Sequence, residues 1–161
     1  MLNTTASSNT AVGHYSLEYT LSGEHNTAIG GSAGKTNVEG NKNTFLGSWA
    51  GMQMQGGNDN TIIGYWARGS AVSTGGNNNV HIGSEAGRSN NGDGNVFLSA
   101  IQQADILSGS HQLVIHNNES DNPLIYGIDE RKEINGSLSI EGLNFFACRV
   151  LLPLSGTTCQ S

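Results

Sequence analysis

A short apolar motif returns along the chain at nearly constant spacing. Aligning Asn9-Thr-Ala-Val-Gly13, Asn26-Thr-Ala-Ile-Gly30, Asn43-Thr-Phe-Leu-Gly47, Asn60-Thr-Ile-Ile-Gly64, Asn79-Val-His-Ile-Gly83 and Asn95-Val-Phe-Leu-Ser99 places the leading Asn residues 17, 17, 17, 19 and 16 positions apart. From the second unit onward a Gly stands three residues before the Asn, at Gly23, Gly40, Gly57, Gly76 and Gly92. Four units carry a later small residue, Ala33, Ala50, Ala67 and Ala86, usually followed by Gly. With h for an apolar or nearly apolar residue, a unit reads G-x-x-N-[TV]-h-h-G-x-x-A-G. Self-similarity at a fixed short period is the mark of a stacked repeat array.

The apolar runs are too short for helices, and Gly in every unit would break one. Thr, Val and Ile between Gly/Asn clusters read as strand and turn. The sequence therefore predicts an all-β protein, a short-coil β-solenoid or β-roll over residues 1–104. Successive coils would stack about 4.8 Å apart, so that equivalent Asn and Thr residues form ladders along the axis.

The two h columns are adjacent, so their side chains point to opposite faces of the strand. The second column, Val12, Ile29, Leu46, Ile63, Ile82 and Leu98, is uniformly aliphatic and is expected inside the coil. The first holds Ala11, Ala28, Phe45, Ile62, His81 and Phe97 and is expected on the other face, where an apolar strip needs a cover;. Closed association of identical copies would bury that strip on each of them, and threefold symmetry suits a fibre. Phe45, Ile62, His81 and Phe97 are accordingly expected at the interface of a homotrimer.

Composition narrows the class. Of 161 residues 35% are hydrophobic and 12% charged, with 23 Gly and 19 Asn, which is poor material for a conventional core;. Apolar residues in register also separate it from ordinary disorder. A net charge of −6 with 7 basic residues gives no positive stripe, so nucleic acid is not expected as a partner;. No apolar run is long enough to span a bilayer, and the N-terminus lacks the features of a signal peptide. Membrane insertion and secretion by the usual route are not expected. Cys148 and Cys159 match no zinc or redox spacing, and no cofactor is expected;.

The repeated units resemble the stalks of phage tail fibres and, more distantly, the head repeats of trimeric autotransporter adhesins, over roughly residues 6 to 100;. A second segment, Leu113 to Asn117, Asn122 to Gly127 and Ile134 to Ile140, is similar to the β-rich stretch preceding the intramolecular chaperone of many tail fibres. Read from its residues alone it gives three strands separated at Asn122-Pro123 and Asn135-Gly136, a small β-hairpin region within 105–142. Residues 143–161 depart from the family pattern as an atypical tail. The resemblance implies a structural, receptor-facing virion subunit exposed to the extracellular environment or, in the adhesin form, a bacterial cell-surface protein.

Candidate chemistry is sparse. His81, if its column faces a threefold axis, would converge with two copies and could hold an ion, although a hydrogen-bonded interface histidine is the plainer reading. Tyr15, Trp49 and Trp66 share one column, with Tyr65 adjacent. Such a strip either packs between subunits, the favoured reading, or stacks against the sugars of a host surface glycan as a receptor patch. Asn90 to Asn95 lacks the carboxylates of a calcium loop and reads as a turn. The acidic residues are scattered where a glycosidase needs a pair across a cleft, and no nucleophile elbow or phosphate loop is present. A non-enzymatic fibre segment is expected ahead of a polysaccharide depolymerase or an ice-binding solenoid. For the last, the Thr column at 10, 27, 44 and 61 gives way to Val80 and Val96.

Overall fold

A three-residue strand has little to hold it in place, so a protein made of such strands depends on bonds running between coils. The computed structural model describes residues 5–69, 76–99, 109–116 and 125–128, and every regular element among them is a β-strand. These are β1 (Thr10–Val12), β2 (Thr27–Ile29), β3 (Thr44–Leu46), β4 (Thr61–Ile63), β5 (Val80–Ile82), β6 (Val96–Ser99), β7 (Gln112–His116) and β8 (Ile125–Ile128). They form one sheet in sequence order. β1 to β7 pair parallel in succession, with each Thr or Val opposite its repeat equivalent, and β8 joins β7 antiparallel. Parallel neighbours demand a full circuit of chain between them. The result is a parallel β-solenoid of about five turns.

The buried Asn column joins the coils. Asn43 donates its backbone N–H to Asn26 Oδ1 at 2.9 Å, and its own Oδ1 accepts both the N–H and the Nδ2 of Asn60 at 3.0 and 2.9 Å. Its Nδ2 donates to the Gly57 carbonyl at 2.8 Å. The same Nδ2 bond runs from Asn26 to Gly40, Asn60 to Gly76 and Asn79 to Gly92. This explains the G-x-x-N correlation: each Asn bonds the Gly that announces the next unit. A second ladder runs alongside, in which Asn58 Oδ1 accepts from Asn41, Asn77 Oδ1 from Asn58 and Asp93 Oδ1 from Asn77. Between the two ladders His25, Lys42, Asp59 and Asn78 sit at φ 56–58°. That left-handed geometry is uncommon outside Gly but is most readily adopted by His, Asp and Asn, and each of the four N–H groups bonds a carbonyl of the preceding coil;.

The stack continues beyond residue 104, the expected end of the array. Gln112 takes the Asn place, its N–H bonding Asn95 Oδ1 at 2.9 Å, and β7 pairs parallel with β6. Of the three stretches expected after the array, two contain the antiparallel β7–β8 pair, while the third and the 143–161 tail lie outside the described residues.

Which column faces inward is the reverse of the expectation. Ala28, Phe45, Ile62, His81 and Phe97 are fully buried, as is Val114 of β7. Val12, Ile29, Leu46, Ile82 and Leu98 remain 38–55% exposed. Phe45, Ile62, His81 and Phe97 therefore form the core of their own coils and cannot be the surface that meets another subunit. The interior tolerates their unequal sizes because neighbouring columns compensate. A Cβ on Gly34 would lie 2.6 Å from the Phe45 ring, one on Gly87 2.7 Å from His81, and Leu17 fills the equivalent place in the first coil beside the small Ala11 and Ala28.

The Gly that ends each strand has two reasons to be Gly. Gly47 holds φ 124°, and a Cβ there would meet the Gly64 carbonyl oxygen at 2.7 Å. Gly47→Ala is expected to lose more than about 3 kcal/mol of stability, while Gly31→Ala, whose Cβ would find only Ser48 Oγ at 3.9 Å, should stay within about 1 kcal/mol of the parent in chemical denaturation;. Asn43→Ala strands the buried N–H of Asn60 and the Gly57 carbonyl and leaves Asn60 Nδ2 with Gly76 alone, and should lose about 3 kcal/mol;. A near-neutral result would mean that the ladder does not hold the coils together.

Candidate functional site

Two surfaces follow from this coil geometry. On a strand, residues i and i+2 share a face. The exposed aliphatic column therefore stands beside Thr10, Thr27, Thr44 and Thr61, continued by Val80, Val96 and Leu113, as one outward face of the β1–β7 sheet. Its regular rungs come directly from the in-register pairing.

The second surface lies past the strand ends. Gly13, Gly30, Gly47, Gly64 and Gly83 turn the chain at φ 122–134°, and two residues on it becomes left-handed at Tyr15, Ser32, Trp49, Trp66 and Glu85. The next residue, Ala33, Ala50, Ala67 or Ala86, points into the core, leaving the left-handed residue at the rim. The four aromatics expected as one strip divide here. Trp49 lies 5.3 Å from Tyr65 and 5.5 Å from Trp66, ring centre to ring centre, as one cluster. Tyr15 instead packs on His14 at 3.5 Å, with Lys35 Nζ 4.6 Å above its ring. Tyr65 and Trp49 are 48% and 38% exposed. The Arg88 guanidinium lies 3.6 Å over the Trp66 ring and pairs with Glu85 at 3.0 Å. Ser48 and Ser84 add exposed hydroxyls next to this cluster in the chain.

The interior holds polar groups of its own. Arg68, which stands where other units have Gly34, Gly51 and Gly87, is fully buried. Its Nε donates to the Asn90 carbonyl at 3.0 Å and its Nη1 approaches Met54 Sδ at 3.2 Å. Burial pulls its pKa from 12.5 to about 10 against the opposing pull of Asp93, so it stays charged at neutral pH. Sequence reasoning missed Arg68, although the signal was present as a charged residue in a Gly column. His81 lies edge-on to Phe97 at 4.9 Å, and neither ring nitrogen has a hydrogen-bond partner. It is a core residue rather than an axial ion ligand or a hydrogen-bonded interface histidine, because its column faces inward. Among the described residues no three His, Cys, Asp or Glu side chains come together as a metal site.

Compared with known protein families, curated proteins and solved structures, the chain matches none.

Burial, reinforced by the nearby Arg68 charge, holds the His81 imidazole at about 3, far below its ordinary 6.5. The unfolded chain binds a proton as pH falls through 6.5 and the folded chain does not until about 3. Stability is thus complete above 6.5 and lost below it, with about 2 kcal/mol gone at pH 5. Denaturation midpoints between pH 7.5 and 5 should show this slope, and His81→Leu should flatten it. An equal slope in that variant would place the sensitivity elsewhere.

Proposed function

We propose that this chain is a structural subunit of a trimeric bacteriophage tail fibre, its solenoids joined along the outward face of the β1–β7 sheet. The observation that carries the reading is the aliphatic column Val12, Ile29, Leu46, Ile82 and Leu98, which one chain leaves partly in water on coil after coil. Completing the burial of each such side chain contributes on the order of 1 kcal/mol, and the column supplies the term on every coil of every subunit. Closed cyclic association gives each copy the same cover. The threefold count and the virion setting come from the resemblance of the G-x-x-N-T-h-h-G units to fibre stalks. Function in this reading is mechanical: ladders stiffen the rod, and display of identical surfaces turns weak contacts with a host into avidity. A trimeric cell-surface adhesin shares the assembly and differs in setting, so a gene lying among virion structural genes favours the fibre.

One observation favours a second reading. Thr10, Thr27, Thr44 and Thr61 share the outward face with the aliphatic column, as an ice-binding solenoid would require. Thermal hysteresis together with a monomeric chain would decide for it.

Sedimentation at micromolar concentration should give three times the chain mass. Leu46→Lys should release folded monomers with the β signature intact, because the side chain stands outside the coil, whereas Phe45→Lys should abolish folding. A parent protein that sediments as a stable monomer removes the trimer.

A further inference from the structure

The aromatic cluster differs from the rest of the surface in one respect. A contact between stacked subunits repeats on every coil, as the outward aliphatic column does. The rim column does not, reading Tyr15, Ser32, Trp49, Trp66 and Glu85. Where Trp49 and Trp66 fall on neighbouring coils, with Tyr65 beside them, three rings gather at 5.3–6.3 Å, two of them exposed; the other exposed tyrosines, Tyr15 and Tyr19, lie under Lys35 instead. An aromatic patch that breaks the period of its scaffold is local in purpose, and exposed patches of this kind mark binding surfaces.

We propose that Trp49, Tyr65, Trp66 and Arg88 form a binding site for neutral pyranose sugars of a polysaccharide. The apolar C–H face of a pyranose ring packs on an indole or phenol ring, while its hydroxyls need planar polar groups at the edge. Both are present. Trp49 and Tyr65 offer exposed rings at an interplanar angle of 45°, a tilt that leaves ring faces free rather than stacked on each other. Arg88 covers the Trp66 ring and is fixed by Glu85, which sets a guanidinium and a carboxylate beside the rings as donor and acceptor. That pairing also decides the charge of the ligand. With the guanidinium neutralised by Glu85 and the chain at −6, an acidic sugar gains little here;. The site does not depend on the fibre reading, since one chain supplies all of it.

The chain's two tryptophans are both in the cluster, so emission excited selectively at tryptophan in the unaltered protein reports on it alone. Titration with a panel of purified bacterial surface polysaccharides, neutral and acidic, should shift that emission with neutral members and cut acrylamide quenching at least twofold. Trp49→Ala and Tyr65→Ala should each weaken binding at least tenfold on a polysaccharide array, with sedimentation unchanged. Silence across the panel, binding confined to acidic members, or retained binding in both variants overturns the site. So does loss of assembly in Trp49→Ala, which would make the cluster a subunit contact. Because assembly is read by sedimentation and sugar binding by emission, either proposal can fail alone.

Discussion

The fold depends on the side-chain amide of one Asn per coil. Backbone bonds between coils run around the circuit, through the turns as well as the three-residue strands, as in Gly34 N–H to the Ala50 carbonyl and Lys42 N–H to the Glu24 carbonyl. To these the amide adds the buried side-chain bonds, accepting from the coil above and donating to the Gly carbonyl of that coil, and so tying every circuit to the next. Buried without partners such a group would be costly; in a column it is satisfied by its own repeats. The left-handed residue of the turn and the crowded Gly after the strand are held by backbone bonds to the neighbouring coil, as in Asp59 N–H to the Asn41 carbonyl and Gly47 N–H to the Ile29 carbonyl. Stability in such a stack is a sum of nearest-neighbour terms, and the register of one coil fixes that of the next.

Much of this was legible in the chain. The 17-residue spacing, the Gly three places before each Asn and the short Thr/Val/Ile runs led to the parallel coil. The inward column did not follow. Alternation says that Ala28 and Ile29 point to opposite faces, but not which face is inside. Uniform size looked like a core, yet the variable column is the interior, and the clue lay in a third column. Gly34 and Gly51 leave room for Phe45, and Gly87 for His81. That reciprocity shows only when columns separated by six residues are read together. The seventh parallel strand was hidden more simply, since Gln112 stands 17 residues after Asn95 with Gly109 before it, but a Gln breaks the motif.

Reversal of the columns puts the uniform aliphatic column, rather than the variable one, on the outer face where the proposed assembly would join. An interior may vary from coil to coil, because each coil packs against its own neighbours. An outward face that meets a second copy of itself is held to its own repeat, and the aliphatic column keeps to Val, Ile and Leu through six coils. Uniformity of a column is therefore no sign of a core by itself, since a surface obliged to match another one would show it too.

The same reasoning assigns meaning to the places where the repeat is broken. The charged residue in the Gly column, Arg68, falls in the 19-residue unit, the longest of the series, and the histidine of the core column opens the next unit. Outside the coil, those same two units carry Tyr65, Trp66, Glu85 and Arg88. Arg88 reaches the Trp66 ring because register sets consecutive rims side by side, whatever the number of residues between them. A solenoid thus separates two tasks that a globular core mixes. The repeated ladders hold the coil, and the residue at the rim can vary without disturbing them, since a side chain outside the coil takes no part in the amide column. Periodic features of this chain accordingly bear on its coil, and its aperiodic ones are where any chemistry beyond the coil is to be sought.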